Sequence, residues 1–523
     1  MRPRSGWLTI LAVCVLVGCA GGGRTRDGRS PRVDRTVISR EQMLKGRYTT
    51  VYDAVSALRS TWLRPRGPDS FTLPTVVWVY LDENRLGDVE SLRNIQPSQV
   101  ASVRFYDGPS ATGRWGVGHG AGVIHVSTWS DGALGFPRSA GIAADQPRWV
   151  ATWAAGQQVT ETRNLPPAPG LGGRTLRQVV HASLGGRRVR LRFSNGFGNG
   201  PLTITVARVG ASEGKGAIDP QGDVQLTFAG DRSVVIPAGG VVTSDPVAFD
   251  LAPLSDVAVS IHFGDVPSDV TGHPGSRTTS YLQDGDAVSA REMPNATHVE
   301  HWYVLTGLDV AVSGSAAAVA VLGNSIADGR GSGTDKQNRW PDNLARRLAG
   351  DPRTREVAVL NGGIGGNCVL KVCIGPPGIE RLDRDVLEQP GIRWLVVSEG
   401  VNDIGGARGA DGSAAVADSL IAGYQRIVAR AHERKVRVYG ATILPFGGNG
   451  YDTPDHEAAR QRVNAWIRTS RVFDAVVDLD AAMRDPQQPS RLRADVDGGD
   501  QLHPNEVGYR VMADAFDLRL FTR

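Results

Sequence analysis

The sequence predicts a multidomain chain whose C-terminal part is an α/β three-layer sandwich built on a parallel sheet, preceded by an all-β sandwich and a small mixed α/β domain. Three observations carry this reading. From Ala316 onward, apolar β-branched runs alternate with helical patterns, the signature of a parallel sheet wound on both faces. Between Trp149 and Val312, short alternating runs such as Arg188–Phe193, Leu202–Val209, Ser233–Ile236 and Val257–Phe263 are separated by Gly, Pro and Asp, as in a sandwich of jelly-roll type. Between Val37 and Trp129, one helical pattern and several strand-like runs make a compact unit. A chain of 523 residues exceeds what one core holds.

In chain order, Met1-Arg2-Pro3-Arg4 is a basic start, followed by an apolar run from Trp7 to Val17. That run is too short to span a bilayer as a mature helix, and residues 1–18 read as a signal peptide. It ends in Leu16-Val17-Gly18-Cys19, which resembles a bacterial lipobox with Cys19 as the lipidated first residue of the mature protein. An ordinary signal peptide with a chance cysteine is the alternative. Under the lipobox resemblance, Ala20 implies sorting to an outer membrane, and several acyl chains give a firm anchor where one binds only marginally. Residues 19–36 are basic and contain Gly and Ser, which reads as a tether.

In residues 37–129 a helix is expected at Val51–Leu63 and strands at Val76–Leu81, Val100–Tyr106 and Gly122–Thr128. Val79-Tyr80-Leu81-Asp82-Glu83, Ile95, Val100–Asp107, Pro109–Gly116 and Gly122-Val123-Ile124 together resemble the plug domain of TonB-dependent receptors: a strand pair, a small-residue turn, then a strand. No train of amphipathic strands follows to make a membrane barrel. The resemblance implies either docking to an envelope protein partner or a spacer. His119 and His125 read as structural. Residues 130–148, rich in Gly, Pro and Ala, read as a linker. In the β-sandwich, 149–312, the aromatic and imidazole side chains Trp149, Trp153, His181, Trp302 and Tyr303 suit either carbohydrate contact or a core. His273 or Arg277 could reach a site in the neighbouring domain, but nothing in the sequence places them there.

The last region, 313–523, carries the chemistry. Strands are expected at Ala316–Leu322, Val357–Leu360, Arg393–Ser398, Val436–Thr442 and Ala475–Leu479, with helices at Trp340–Leu348, Ala415–Arg434 and Pro454–Ser470. Gly323-Asn324-Ser325 follows the first strand, Asn361–Asn367 with its glycines the second, and Glu399-Gly400-Val401-Asn402-Asp403 the third; Asp500-Gln501-Leu502-His503-Pro504 stands near the end. Each piece alone suits a turn or a cap. Together, at one rim of one sheet, they make a kit for acyl transfer. Ser325 needs a base to take its proton, His503 can take it, and Asp500 can hold the imidazole. The amides of Ser325 and Gly366 and the side-chain amide of Asn402 can receive an oxyanion.

With all four blocks in order, the region resembles the SGNH (GDSL-type) hydrolase superfamily, with its flavodoxin-like parallel sheet. The resemblance implies Ser325 as nucleophile, Gly366 and Asn402 as oxyanion-hole residues, and Asp500 and His503 as acid and base. It departs in one place: the usual Gly-Asp-Ser reads Gly-Asn-Ser, with Asn324 removing a charge beside the serine.

Of four cysteines, Cys14 leaves with the signal and Cys19 takes lipid. Cys368 and Cys373 are too few for a four-ligand zinc site, and an oxidising compartment favours a disulfide worth about 2 kcal/mol; free thiols are the alternative. With 58 Lys+Arg against 54 Asp+Glu and no basic block, a nucleic-acid partner is excluded. No metal or organic cofactor is implied. The expectation is an exported, outer-membrane-anchored serine esterase for short acyl esters, in particular O-acetyl groups on carbohydrate. The alternatives are a lipase or arylesterase of the same chemistry, and an envelope binding or scaffold lipoprotein with a weakened site.

Overall fold

The computed structural model describes residues 36–46, 48–65, 75–81, 84–97, 100–115, 118–128 and 148–522. The expected signal peptide, Cys19, nearly all of the tether and the linker up to residue 147 lie outside them. Among the described residues, no helix is long and apolar enough to cross a membrane.

The N-terminal unit is a five-stranded mixed sheet with helices packed on it. Its strands lie in the order Val37–Ser39, Val100–Tyr106, Val123–Thr128, Trp78–Leu81, Asn84–Gly87, and only Trp78–Leu81 with Val123–Thr128 is a parallel pair. The helix Val51–Arg59 starts at Thr50, whose side chain and that of Asp53 form a reciprocal capping box. It buries Val51, Ala54 and Val55 in a core with Val79, Val103 and Ile124. One expectation is corrected here. The small-residue segment after Tyr106 is a helix, Gly108–Trp115, not a turn. The Asp107 side chain accepts from Ser110 N–H at 3.0 Å, and Pro109 sits in the first turn, where its missing N–H costs nothing. Trp115 then seals the helix against Tyr80 and Tyr106, with ring centroids 4.9 Å away in each case. His119 Nε2 lies 2.9 Å from the Tyr80 hydroxyl.

From Arg148 the chain forms two large antiparallel sheets and a small three-stranded one, and the facing side chains of the large pair share one core: Leu176, Val180, Ile204 and Ile261 from one, Leu191, Phe193, Leu308 and Val310 from the other. Trp153, Trp302 and Tyr303 are buried in that core, which removes them as a sugar platform; Trp153 and Trp302 meet edge to face at 5.0 Å.

The C-terminal sheet consists of β1 (Ala317–Gly323), β2 (Val357–Gly363), β3 (Ile392–Ser398), β4 (Arg437–Ala441) and β5 (Ala475–Val477). All are parallel, in the order β2-β1-β3-β4-β5. Every residue of β1 is buried, which is why its sequence is a continuous apolar run instead of an alternation. Its helices include α1 (Ser325–Asp328), α2 (Trp340–Gly350), α3 (Gly378–Leu382), α4 (Val401–Gly405), α5 (Gly409–Glu433), α6 (Pro454–Thr469) and α7 (Glu506–Asp514). Among them, α2 packs on α7 and α5 on α6. In this winding the chain leaves β1 toward β2 and returns to the other side of β1 for β3. That reversal opens a crevice at the carboxyl ends of β1 and β3.

The β-domain closes the open edge of this sheet. Ala155 bridges Asn361 of β2, Ala151 N–H donates to Pro390 O at 2.8 Å, and the Ser183 hydroxyl accepts from Val359 N–H at 3.0 Å. An edge strand left bare would invite pairing with another chain. One continuous apolar core runs through both domains.

Candidate active site

β1 ends at Gly323, and the chain turns at once into α1. Asn324 caps that turn: its Oδ1 accepts from Ile326 N–H at 3.0 Å. An amide oxygen serves this role as well as a carboxylate, and Asn324 is buried, where a neutral side chain avoids the cost of desolvating a charge. Ser325 is thereby held at the sheet rim.

Ser325 Oγ lies 2.8 Å from His503 Nε2. His503 Nδ1 lies 2.7 Å from Asp500 Oδ2, and the other carboxylate oxygen accepts the His503 backbone N–H at 2.8 Å and that of Leu502 at 3.1 Å. Asp500 thus fixes both ring and backbone of His503. Burial pushes the His503 pKa below its usual value, against the pull of Asp500, so the imidazole is neutral and able to accept a proton near pH 7. Burial works against the Asp500 charge, but the hydrogen bonds from His503 prevail and its pKa is lowered.

Ser325 N–H and Gly366 N–H enter no backbone hydrogen bond among the described residues. Gly366 has φ 72°, and a Cβ there would meet Ile374 Cδ1 at 2.7 Å, so conformation and space both demand glycine. Asn402, on α4 just past β3, gives one N–H of its amide to Asn367 O at 2.8 Å and accepts from the Tyr451 hydroxyl at 3.2 Å. Its second N–H is left for a ligand. The structure therefore brings Ser325, Gly366, Asn402, Asp500 and His503 to one crevice.

Cys368 and Cys373 form a disulfide in the loop after Gly366. Asp403 ties that loop down, accepting from Val369 N–H at 2.8 Å and Leu370 N–H at 3.1 Å.

Two supporting residues, Arg381 and Glu399, have no role in the sequence reading, and a third, His273, is read there only as able to reach the site. Arg381 on α3 is fully buried and gathers the rim: it donates to Gly323 O at 2.8 Å, Gly362 O at 2.6 Å and Asn367 Oδ1 at 2.9 Å. Glu399, at the end of β3, lies 3.4 Å from Arg381. Complete burial pushes its pKa up to about 7 despite Arg381, and its Oε2 has no partner. His273 of the β-domain meets Asp328 of α1 at 2.9 Å through Nε2 and donates to Gly156 O at 2.8 Å through Nδ1. No local pattern points to Arg381, which sits on a helix that the periodicity does not show.

Residues 321–511 match the GDSL-like Lipase/Acylhydrolase family. No curated protein matches the chain. Among solved structures the chain is similar to a GDSL-like lipase from Bacteroides thetaiotaomicron VPI-5482, with 19% identity over 38% of this chain and 84% of that chain and a TM-score of 0.28. It is also similar to the lipase/acylhydrolase from Enterococcus faecalis, with 20% identity over 39% of this chain and 94% of that chain and a TM-score of 0.29. A third is Est24, a carbohydrate acetylesterase from Sinorhizobium meliloti, with 14% identity over 38% of this chain and 95% of that chain and a TM-score of 0.30. The part of the chain that holds this site, residues 321–511, is a GDSL-like acylhydrolase domain.

Proposed function

We propose that the protein is an exported serine esterase that hydrolyses short acyl esters, in particular acetyl groups carried on carbohydrate. The observation that carries the esterase reading is the relay Ser325 Oγ to His503 Nε2, 2.8 Å, and His503 Nδ1 to Asp500 Oδ2, 2.7 Å. His503 takes the Ser325 proton as Oγ attacks the ester carbonyl. The tetrahedral oxyanion sits between Ser325 N–H, Gly366 N–H and the free N–H of Asn402. As the C–O bond breaks, His503 returns the proton to the departing alkoxide, leaving an acyl-enzyme. Water, deprotonated by the same imidazole, adds to the acyl carbonyl, and the second tetrahedral species expels Ser325 and releases the acid.

A hydrophilic alcohol is favoured over a lipid or aryl group by the surroundings of the site: Asn402, Tyr451 and Arg330 approach it, and the β-domain packs beside it through His273. The envelope location rests on the lipobox at Cys19, whose lipid would hold the protein at the outer membrane. The N-terminal unit, with its plug-like sequence, would meet an envelope protein there. Against a decayed scaffold stands Asn324, which keeps the cap that positions Ser325. A fluorophosphonate probe tests the reading: it labels the wild type and spares Ser325→Ala, and an unlabelled wild type rejects it.

A further inference from the structure

Two arginines on segments packed around the Ser325 turn have no task in this mechanism. Arg330 follows α1 after the single residue Gly329. Its N–H donates to Ser325 O at 3.0 Å and its carbonyl accepts from the Tyr509 hydroxyl at 2.6 Å. The next residue, Gly331, packs against the carbonyl of Pro504, neighbour of His503. Arg277 comes from the β-domain, on the loop that follows His273. That loop is clamped to the hydrolase domain at several points: His273 on Asp328 at 2.9 Å, Ser276 O accepting from Arg339 at 3.3 Å, and Arg277 O accepting from Asp335 N–H at 3.0 Å.

Among the described residues neither guanidinium enters an ion pair or a side-chain hydrogen bond, and Arg277 Nε is buried without a partner. A buried N–H left unpaired costs free energy and calls for an acceptor. The carboxylate closest in the loop contacts, Asp335, is occupied by Thr279, whose N–H and hydroxyl donate to it at 2.6 and 2.7 Å. Arg277 also holds φ at 50°, a left-handed conformation that non-glycine residues adopt at a cost and that recurs at ligand clamps. Both positive charges push the His503 pKa down.

We propose that Arg277 and Arg330 form an anion-recognition subsite beside Ser325, selecting esters whose alcohol portion carries a carboxylate or phosphate. This rests on the esterase reading. A guanidinium offers a planar fork of N–H donors that matches such an anion in two-point contact. Because Arg277 belongs to the β-domain, that domain supplies part of the specificity of its neighbour.

The full-length protein provides the test, with 4-nitrophenyl acetate as reporter and galacturonate, galactose, glycerol 3-phosphate and glycerol as competitors. At least one anion is expected to inhibit about tenfold more tightly than its neutral counterpart. Arg277→Gln and Arg330→Gln each bring that ratio toward one, and Arg277→Lys retains part of it. Preference for galacturonate assigns the anion to a sugar acid; preference for glycerol 3-phosphate assigns it to a phosphate group. Equal inhibition by charged and neutral competitors, in a protein that hydrolyses the reporter, overturns the subsite and leaves the esterase reading standing. Absence of hydrolysis overturns the esterase reading and the subsite with it. The competition in the wild type needs no variant to fold.

Discussion

His273 of the β-domain and Asp328, the last residue of the turn that begins at Ser325, are joined at 2.9 Å, and both side chains are almost entirely buried. The contact makes the β-domain part of the support of the candidate site. His273 also stacks on Trp302, with ring centroids 5.5 Å apart, so its ring is fixed by the β-domain core. Gly275, two residues on, packs directly on the Asp328 carboxylate, leaving no room for a side chain.

His273→Ala strands a buried carboxylate, and breaking such a pair costs about 3–5 kcal/mol. The expected outcome is a drop in the unfolding midpoint and a fall in kcat/KM for 4-nitrophenyl acetate of about tenfold or more. Adding Asp328→Ala is expected to cost less than the sum of the two single changes, because the pair is coupled. A double-mutant cycle by denaturant unfolding checks this; strict additivity contradicts it.

The acid side of the pH profile follows from His503. The imidazole must be neutral to accept the Ser325 proton, and its pKa is lowered, chiefly by burial. Activity therefore rises with pH through a midpoint below the ordinary histidine value of 6.5. Asp500→Asn removes a group that raises that pKa and holds the ring, so kcat is expected to fall by about 10³–10⁴, with any residual acid limb displaced downward. A kcat/KM profile from pH 4.5 to 9 measures both.

Glu399 predicts a stability effect with the opposite slope. Its pKa is raised from 4.5 to about 7 in the folded protein. Between those values the unfolded chain has already lost the proton that the folded protein retains, so ionisation draws the equilibrium toward unfolding and this contribution falls as pH rises. Glu399→Gln keeps a neutral side chain there and is expected to flatten the decline in unfolding midpoint between pH 5 and 7. An identical pH dependence in the variant contradicts this.

Asn324 is a cap, and its substitutions should read as cap substitutions. Asn324→Ala removes the acceptor for Ile326 N–H and is expected to cost about 1 kcal/mol of stability together with activity. Asn324→Asp keeps the acceptor but buries a charge, and is expected to leave the rate within about threefold. A large gain from Asn324→Asp would mean that the missing charge limits the chemistry.

The parts of this protein that could be read from sequence are those where local pattern and tertiary environment agree. β1 is buried on both faces, so its apolar run announced a parallel strand. Ser325, Gly366, Asn402 and His503 were visible because each sits in a short block at or near the crevice rim. The contacts that hold them span long separations and leave no local trace. Arg381 is one of 58 basic residues in the sequence, and only the fold shows it reaching Gly323, Gly362 and Asn367. His273 precedes Asp328 by 55 residues and belongs to another domain. The helix Gly108–Trp115 was hidden for a different reason. Its Gly, Pro, Ser and Thr are turn formers, and only the Asp107 cap and the packing of Trp115 on Tyr80 and Tyr106 stabilise the helix.

The most direct test of the central claim is the hydrolysis of 4-nitrophenyl acetate, butyrate and octanoate by the full-length protein beside Ser325→Ala and His503→Ala. The account predicts turnover that is fastest for acetate and abolished in both variants, by about 10⁴-fold or more. Turnover that survives Ser325→Ala, or a folded wild type no faster than the variants, would contradict it.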